Sequence, residues 1–409
     1  MRLAFWKKDK ESEEKKKKPQ WREWVDAAVF AIVAATIIRM FFIEAYTIPS
    51  GSMEGTLKVN DYLFVSKVAY GPRLPNTPLS FPLVHNTMPF FGGKSYSEAV
   101  QWKYKRLPGL GKIKSGDVVV FNFPNNDTTL LEFPSHDYYT YVRQYGWDAI
   151  NQSGQFHVIT RPVDKRENYI KRCVGLPGEL IEIKDGVLYV NGAQYKMYPH
   201  QRISYAVTGT TRLNADFMEE NFISFLKDDP FRGVQVYEME HSAVEKVKAV
   251  SGVTDVRPYV MPAGEAGVGP MATFPYDEEH FKWNQDNFGP LRIPKKGETV
   301  QLTPENLALY RRIIKVYENN PSYTEKDNVA YIDGKAITSY TFKMDYYWMM
   351  GDNRHNSADS RFFGFVPEDH IVGKASFVWL SYGNNDGGVY NKGGMRWGRL
   401  LRGVKSLEN

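Results

Sequence analysis

The sequence contains a single cysteine, Cys173, among its 409 residues, which excludes an intramolecular disulfide framework and a multi-cysteine zinc site. It also lacks a strong charge bias. The 52 basic and 47 acidic residues give a net charge of +5, which does not suggest a nucleic-acid partner. The mean hydropathy of −0.46 excludes a polytopic membrane protein but allows one anchoring helix. None of these absences fixes the cellular compartment.

Aromatic residues, prolines and glycines are abundant in the chain. Phe, Trp and Tyr make up 14% of the residues, with 23 prolines and 33 glycines. This composition favours a β-rich body with many turns and loops. The length is sufficient for about two domains.

One long apolar stretch covers residues 25–43, with Asp26 near its start and Arg39 near its end. The 17 residues 27–43 are about the lower limit for crossing a bilayer core of ~30 Å, with Arg39 reaching toward the interface. A signal peptide, an interfacial helix and a buried core helix are the alternatives. The strongest chemical motif follows immediately, which argues against cleavage. We therefore predict an uncleaved transmembrane helix over 24–44.

The polar tail before this helix is basic. Residues 1–23 hold nine Lys or Arg against five Asp or Glu, and 15–18 are all lysine. The positive-inside rule then predicts a cytoplasmic N-terminus, with everything after the helix on the outer side of the membrane. Binding of the lysine run to anionic lipid or RNA is an alternative to this topological role.

Apolar segments predict strands at 61–70 and 117–123, short buried strands at 169–176 and 345–350, and a longer strand at 372–382. Residues 179–192 form the clearest hairpin, with a turn at Asp185-Gly186. Helices are predicted over 303–317 and near 241–250. The expected fold is mainly β: an antiparallel β catalytic core with a large α+β insertion. Its predicted parts are a core at 45–194 and 341–409, core insertions near 72–112 and 124–167, and an accessory lobe at 195–340.

A first candidate for chemistry lies just beyond the predicted helix, where Ser50 and Ser52 are two residues apart. Pro49 and Gly51 can fix an unusual backbone path that exposes a hydroxyl. Taken alone, the segment is equally compatible with a flexible turn. It is not the Gly-x-Ser-x-Gly elbow of α/β-hydrolases.

A serine nucleophile needs a base, and Lys171 lies in a strand-like, mostly apolar segment. At its ordinary pKa, only about one lysine in 2,500 is neutral at pH 7. Bringing the pKa close to 7 requires roughly 4–5 kcal/mol of destabilised ammonium, which burial without a carboxylate partner can supply. An exposed edge-strand lysine is the alternative interpretation.

Residues 351–361 are rich in hydrogen-bonding groups and follow an apolar strand. Asp352 and Asp359 could suggest metal ligation, but Arg354 and Arg361 nearby are better interpreted as their ion-pair partners. We predict no metal and no cofactor.

Two histidines leave other nucleophile arrangements open. His355 could complete a Ser-His-Asp triad with Ser52 and Asp359, which spacing does not exclude. Cys173 could pair with His355 or His370, but a small buried thiol beside the Lys171 side chain is the preferred interpretation.

Together these segments resemble the sequence boxes of bacterial type I signal peptidase, in the order typical of that family and directly after the predicted membrane span. The matching segments are Ser50-Gly51-Ser52-Met53, Gly116 to Phe121, Tyr169-Ile170-Lys171-Arg172 with Gly175-Leu176-Pro177-Gly178, and Gly351 to Arg361. The boxes cover about a tenth of the chain and do not account for residues 195–340.

The resemblance implies that Ser52 is the nucleophile and Lys171 the general base. It further implies that Ser50 joins the Ser52 amide in the oxyanion hole and that Ser357 orients the lysine amine. The resemblance assigns a structural supporting role to Asp352, Arg354, Asp359 and Arg361. It also implies that shallow pockets for small substrate side chains are lined by Ile48, Pro49, Met53, Leu57, Tyr169 and Ile170. The sequence departs from the family pattern at Gly55, where proline is usual, and at Glu179, where aspartate is common.

The implied protein is a serine endopeptidase that removes signal peptides from exported preproteins through an acyl-enzyme. The resemblance implies a single-pass protein of the bacterial cytoplasmic (inner) membrane, with the lipid bilayer and preproteins as its partners. A self-cleaving Ser/Lys protease of the repressor type is the nearest rival, but it would carry a DNA-binding domain in place of the membrane helix. An inactive membrane-tethered scaffold is a second rival, and it would tolerate loss of Ser52 or Lys171.

Overall fold

The computed structural model describes residues 19–89, 92–383 and 393–408. The predicted cytoplasmic lysine run at 15–18 lies outside these described residues. Within them the chain is dominated by short strands connected by long irregular segments, as the aromatic, proline-rich and glycine-rich composition predicts.

The strands are β1 (Ile43–Thr47), β2 (Asp61–Ser66), β3 (Val118–Asn122), β4 (Thr128–Leu130), β5 (Val158–Thr160), β6 (Asn168–Gly175), β7 (Leu180–Lys184), β8 (Val187–Val190), β9 (Ala193–Gln194), β10 (Arg202–Gly209), β11 (Ser224–Asp229), β12 (Val234–Glu240), β13 (Val253–Pro258), β14 (Phe288–Arg292), β15 (Thr299–Gln301), β16 (Thr324–Lys326), β17 (Val329–Ile332), β18 (Lys335–Ile337), β19 (Ser339–Thr341), β20 (Tyr346–Met350), β21 (Val366–Pro367), β22 (Ile371–Gly383), β23 (Gly394–Met395) and β24 (Arg402–Gly403).

The α-helices are α1 (Gln20–Phe41), α2 (Tyr138–Tyr145), α3 (Trp147–Asn151), α4 (Ala215–Glu220), α5 (Val244–Lys248), α6 (Leu307–Arg312) and α7 (Ser360–Phe363). Short 3₁₀ segments occupy Gly51–Met53, Pro124–Asp127, Val163–Lys165, His241–Ala243, Gly269–Met271, Glu368–His370, Trp397–Arg399 and Val404–Leu407. The five residues Ile313–Tyr317 continue α6 as a π-helix.

Helix α1 is the predicted apolar helix. Its 22 residues are long and apolar enough to cross a membrane, and none of them is buried against the rest of the protein. The helix begins four residues before the predicted start at 24. It ends at Phe41, because the chain turns into β1 at Ile43 rather than remaining helical to 44.

The central sheet carries the predicted core strands in the order β1-β2-β22-β3-β6-β20-β21, with β23 and β24 also paired to β22. Every pairing along it is antiparallel, which confirms the predicted fold class. Strand β3 is buried throughout and β6 is buried from Lys171 to Gly175, so both faces of the sheet are covered at this point. This central location matters because β6 carries Lys171.

The predicted hairpin is present as β7 and β8. The turn residues Asp185 and Gly186 have φ values of 50° and 79°, the two positive angles that a type I′ turn requires. Strand β14 pairs with the outer edge of β7, which brings residues 288–292 next to this hairpin.

The region 195–340 contains both strands and helices. Strands β11, β12, β10 and β13 form a separate antiparallel sheet, covered by α5 near the predicted position 241–250. The helix predicted over 303–317 begins instead at Leu307, because residues 304–306 form a turn. The carbonyl of Thr303 accepts a hydrogen bond from Leu307 N at 3.0 Å in that turn.

Candidate active site

Ser52 lies in the 3₁₀ turn Gly51–Met53, shortly after strand β1. The chain on either side of the turn is held by the core. Ile48 exchanges backbone hydrogen bonds with the β2 entrance, donating to Asp61 O and accepting from Asn60 N, both at 2.9 Å. Met53 behind the serine is fully buried. A turn anchored in this way holds the Ser52 side chain in place.

The backbone conformation at Gly55 explains why glycine is present where proline is usual in the family. Its φ is +105°, an angle that L side chains rarely adopt. A Cβ built at this position would lie 2.0 Å from the carbonyl oxygen of His200. His200 precedes β10, so the start of the region 195–340 packs against the serine turn at the point where a side chain is absent. Proline, with its φ fixed near −65°, does not fit this backbone.

Lys171 lies in the middle of β6, opposite Val119 of β3. Its side chain is 4% exposed, and its Nζ lies 2.7 Å from Ser52 Oγ and 3.1 Å from the carbonyl oxygen of Ile170. The two residues are 119 positions apart in sequence and meet because the serine turn folds over the central sheet.

The electrostatic surroundings lower the pKa of the Lys171 amine from 10.5 to about 8. Burial is the largest cause, and the charges of Asp359 and Asp352 oppose it only in part. No carboxylate among the described residues forms an ion pair with Lys171. A neutral amine is therefore accessible near physiological pH, as base chemistry requires.

Gly351 permits the close approach of the third segment to the serine turn. A Cβ here would lie 2.5 Å from the carbonyl oxygen of Ser52 and 2.2 Å from the Oγ of Ser357. That same Ser52 carbonyl accepts a hydrogen bond from Asn353 N at 3.2 Å. The loop after β20 is thus fastened directly to the backbone of Ser52.

The ion pairs of this loop differ in part from the prediction. Asp352 pairs with Arg172, at 2.8 Å from Nε and 2.6 Å from Nη2, rather than with Arg354. Arg354 instead donates from Nε to the Gly351 carbonyl at 3.1 Å. The expectation that Arg354 is the partner of Asp352 is therefore wrong. Arg172 lies closer because β6 and β20 are adjacent strands, whereas the Arg354 side chain turns back onto its own loop.

Asp359 pairs with Arg361, at 2.9 Å from Nε and 2.8 Å from Nη2. It also accepts from Gly351 N at 3.1 Å. All the atoms involved are buried. Burial tends to raise the pKa of the Asp359 carboxyl, but the Arg361 charge and the hydrogen bonds hold it below its usual range.

The two remaining serines lie beside the pair. Ser50 Oγ is 3.5 Å from Ser52 Oγ. Ser357 is 7% exposed and lines the same cavity, but among the described residues the Lys171 amine donates to Ser52 and Ile170 and not to the Oγ of Ser357. Its role in orienting the lysine amine stays a prediction.

The residues expected to line the substrate pocket occupy different environments. Tyr169 faces the cavity, stacked on Phe123 with ring centroids 4.2 Å apart. Pro49 is exposed at the start of the serine turn. The others belong to the hydrophobic core behind the turn: Ile48, Met53, Leu57 and, partly buried, Ile170. Their contact with substrate stays a prediction.

His355 is engaged away from Ser52. Its Nδ1 accepts from the backbone N–H of Ser204 at 3.0 Å, and its Nε2 lies 2.7 Å from Asp286 Oδ1. Both ring nitrogens are therefore occupied by residues of the region 195–340, and Asp359 is occupied by Arg361. This arrangement argues against the triad interpretation and makes His355 a connection between the loop after β20 and the region 195–340.

Cys173 and His370 are likewise unsuited to nucleophilic chemistry. Cys173 is fully buried in the core beside β3, and burial raises the pKa of its thiol well above the ordinary range. His370 contacts Arg166 at 2.7 Å and Asp369 at 2.6 Å. Among the described residues, no group of His, Cys, Asp and Glu side chains is arranged to hold a metal ion.

A cavity of about 690 Å³ opens over Ser52 and Lys171. Part of its wall was not found from the sequence. One side is helix α2, which presents Thr140, Tyr141 and Gln144, and another is the loop around Gly269–Met271. Both lie in segments without a motif of their own, so no local sequence pattern indicated that they line the cavity.

Comparison with known proteins places the chain in a family. It matches the family described as "Signal peptidase, peptidase S26" over residues 21–254 and 293–380. The chain belongs to this family. Membership confirms the predicted serine peptidase class, with signal peptides as the family's substrates. The unmatched stretch 255–292 includes the cavity loop Gly269–Met271 and Asp286, the partner of His355.

Similar proteins named signal peptidase I occur in several bacteria. The protein of Rickettsia felis is 25% identical over 375 residues, which cover 90% of this chain and 85% of the relative. That of Rickettsia typhi is 25% identical over 390 residues, covering 93% and 91%. That of Buchnera aphidicola from Schizaphis graminum is 24% identical over 349 residues, covering 85% and 70%. The likeness therefore extends over almost the whole chain, well beyond the short boxes.

Proposed function

We propose that this signal peptidase is a membrane-anchored endopeptidase that cleaves preproteins with Ser52 as nucleophile and Lys171 as general base. The observation that carries the proposal is the 2.7 Å distance between Lys171 Nζ and Ser52 Oγ in a buried setting. This is within reach of direct proton transfer. The lowered pKa of the amine supports the same assignment.

The reaction begins when the neutral amine of Lys171 takes the hydroxyl proton of Ser52. The serine oxygen attacks the scissile carbonyl carbon, and a tetrahedral intermediate forms. Collapse of that intermediate breaks the peptide bond, the Lys171 ammonium protonates the departing amine, and an ester remains on Ser52. Lys171 then takes a proton from water, and the water oxygen attacks the ester carbon. As the ester bond breaks, the Lys171 ammonium returns that proton to the Ser52 oxygen, and the signal peptide leaves with a carboxyl group that ionises in solution.

The charge that develops on the carbonyl oxygen needs hydrogen-bond donors. The amide of Ser52 and the hydroxyl of Ser50 are the proposed pair, since Ser50 Oγ lies 3.5 Å from the nucleophile. Donors of this kind act on the transition state, and loss of one typically reduces the rate ~10²–10³-fold.

Helix α1 is the proposed anchor in the bacterial inner membrane. Ser52 follows the last residue of the helix, Phe41, by only 11 positions, so the site is held close to the bilayer surface. A signal peptide also has an apolar segment that lies in the membrane, so its cleavage site emerges at a similar depth. The basic tail at 1–23 supports a cytoplasmic N-terminus, with the catalytic domain on the periplasmic side.

The test is cleavage of a purified preprotein by the wild type, Ser52→Ala and Lys171→Met in detergent. Ser95→Ala and Lys374→Met are the controls. Ser95 is also buried, at 5% exposure, and Lys374 lies in β22 opposite Val119, which has Lys171 on its other side. We expect both active-site variants to be inactive and both controls to cleave. Unimpaired cleavage by Ser52→Ala or Lys171→Met overturns the role of that residue. Mass spectrometry of the wild-type enzyme, denatured while it is cleaving the preprotein, should find the acyl group of the signal peptide on Ser52.

Orientation is tested separately by protease protection in spheroplasts. A tag at the C-terminus should be degraded by added protease, and a tag at the N-terminus should be protected. A protected C-terminal tag contradicts the proposed topology.

A further inference from the structure

A second cavity, of about 230 Å³, lies between the end of α1 and the loop region 73–85, away from the serine. Its lining is rich in charge. Four cationic side chains, those of Arg39, Lys67, Arg73 and Lys165, share it with two carboxylates, Glu44 and Asp164. The pocket thus holds two more basic than acidic groups, and the catalytic mechanism uses none of them.

Glu44 neutralises part of this charge. Its carboxylate contacts Arg39 Nε at 2.6 Å and Lys67 Nζ at 2.8 Å, and the Tyr46 hydroxyl donates to it at 2.8 Å. Burial tends to raise the pKa of Glu44, but the charges of Lys67 and Arg39 lower it to about 2, so the group is ionised at neutral pH. One carboxylate therefore serves two cations.

Lys165 lacks such a partner. It is 7% exposed, and no carboxylate among the described residues lies within 4 Å of its Nζ. Its ammonium instead lies 5.3 Å from the ring centroid of Tyr96. Asp164 next to it accepts from the backbone N–H and the hydroxyl of Thr77, both at 2.9 Å. Asp164 and Glu44 are nearby negative charges that offset the burial of this ammonium only in part, and a bound anion in contact with it would compensate the remainder.

Arg73 adds a second cation without a carboxylate partner in hydrogen-bond contact. It donates to the carbonyl oxygen of Asp369 and, at 2.7 Å, to Asn122 Oδ1, both neutral acceptors. Arginine is suited to phosphate because its guanidinium presents several donors in one plane. The charge of Asp164 acts on both Lys165 and Arg73, so these two cations share one carboxylate of the pocket without forming an ion pair with it.

The position of the pocket in the fold indicates what kind of anion it binds. Thr36, Arg39 and Met40 of α1 line the pocket, so it opens at the C-terminal end of the apolar helix. The adjoining loop carries Leu79, Phe81 and Leu83, which are 52%, 58% and 50% exposed. The carbonyl of Leu83 accepts from Arg39 Nη1 at 2.6 Å, which fixes this loop against the helix. A charged pocket thus lies directly beside apolar side chains.

We propose that this pocket binds the phosphate-bearing headgroup of an anionic phospholipid, with its acyl chains lying along α1 and the side chains of Leu79, Phe81 and Leu83. The phosphate accepts from Lys165 and Arg73, and Arg39 and Lys67 contribute positive charge. The inference rests on the proposed membrane anchoring by α1. It assigns to the loop region 73–85 a role in setting the height of the active site above the bilayer.

The experiment uses the full-length protein in a neutral detergent, with short-chain phosphatidylglycerol, short-chain phosphatidylcholine and inorganic phosphate as separate probes. Binding is followed by the shift of the thermal midpoint with probe concentration. Lys165→Gln removes the unpaired ammonium. Lys227→Gln is the matched control, since Lys227 also lies over a tyrosine ring, 5.1 Å from that of Tyr259, but is exposed.

We expect phosphatidylglycerol to raise the midpoint of the wild type and of Lys227→Gln, with phosphatidylcholine and phosphate having much weaker effects. Lys165→Gln should weaken the apparent affinity for phosphatidylglycerol on the order of tenfold, and Lys165→Arg should restore it. Equal stabilisation by both lipids, equal stabilisation by phosphate alone, or no effect of Lys165→Gln overturns the proposal.

Failure of the anchoring itself has a different signature. Flotation of the wild type with phosphatidylcholine liposomes tests α1 without any anionic lipid. A protein that does not float contradicts the anchor. A protein that floats but does not discriminate phosphatidylglycerol in detergent contradicts the headgroup pocket alone.

Discussion

Arg172 and Asp352 form a doubly hydrogen-bonded ion pair, at 2.8 and 2.6 Å, with both side chains almost completely buried. Arg172 is the residue after Lys171 in β6, and Asp352 is the second residue after β20. Thr56 donates to the same carboxylate at 2.6 Å. One ion pair therefore connects the lysine strand, the serine turn and the loop after β20.

Asp352→Asn should destabilise the protein by roughly 3 kcal/mol, because it leaves the buried charge of Arg172 without its main partner. Chemical denaturation of the two proteins at pH 7 measures the difference. Asp255→Asn is the control, because its pair with Arg257 is 3.9 Å long and about half exposed, and it should cost less than about 1 kcal/mol. Equal effects of the two changes would contradict the structural role of Asp352.

The same pair predicts a direction of acid sensitivity. Burial tends to raise the pKa of the Asp352 carboxyl, but Arg172 and the hydrogen bonds hold it below its usual range. A carboxyl whose folded pKa is depressed stabilises the fold above its unfolded pKa, and this contribution is lost as the pH falls through the folded value. The stability gap between wild type and Asp352→Asn should therefore narrow below about pH 4.

Gly55 gives a second prediction. Gly55→Ala should be clearly destabilising, because it combines a positive φ with a contact of 2.0 Å between the new Cβ and the His200 carbonyl. Gly334→Ala is the control: its φ is +73°, but nothing lies within 4 Å of its Cβ position, so only the backbone strain of ~1 kcal/mol remains. Thermal unfolding measures both. A Gly55→Ala protein as stable as Gly334→Ala argues against tight packing of His200 on the serine turn.

Lys171 should reduce stability at the pH where it is protonated. Its pKa falls from 10.5 when unfolded to about 8 when folded, so the folded state disfavours the ammonium by roughly 3 kcal/mol. The unfolded chain binds the extra proton between these two values, and stability rises with pH through that range. Lys171→Met should therefore be more stable than the wild type at pH 7, and its advantage should vanish by about pH 10.5. Denaturant titrations at pH 7 and 10 measure this, and a variant less stable at pH 7 contradicts a desolvated amine.

Substitution of His355 distinguishes a structural role of this side chain from a catalytic one. His355→Gln should retain most of the cleavage rate, because both ring nitrogens are engaged by Ser204 and Asp286, but it should lower the thermal midpoint. His280→Gln, which alters a more exposed pair with Asp277, should change neither property much. A large loss of kcat in His355→Gln with an unchanged midpoint would revive the triad.

Much of the core was predictable because its signals are local. The strand at 169–176 follows from a short, mostly apolar run of residues. The hairpin at Asp185-Gly186 follows from alternation and from the dihedral demands of a two-residue turn. The family resemblance brought Ser52 and Lys171 together before any geometry was known. These features depend on short windows of sequence, which is why their positions are accurate to a residue or two.

The contacts that were not predicted correctly from the sequence depend on the three-dimensional fold. Asp352 lies two residues from Arg354, yet its partner is Arg172, 180 positions away and on the neighbouring strand. The cavity walls from α2 and Gly269–Met271 have no motif, because their contribution is shape rather than chemistry. Gly55 could be understood only once His200 was found against it. Sequence spacing does not contain this information.

The central claim is that Lys171 acts as an uncharged base toward Ser52, and the pH dependence of kcat/KM for preprotein cleavage tests it most directly. For the wild type we predict a rate that rises with pH and levels off with an apparent pKa of about 8, the value set by burial of the amine. A profile that continues to rise to about pH 10.5, as for a solvated lysine, would contradict the account.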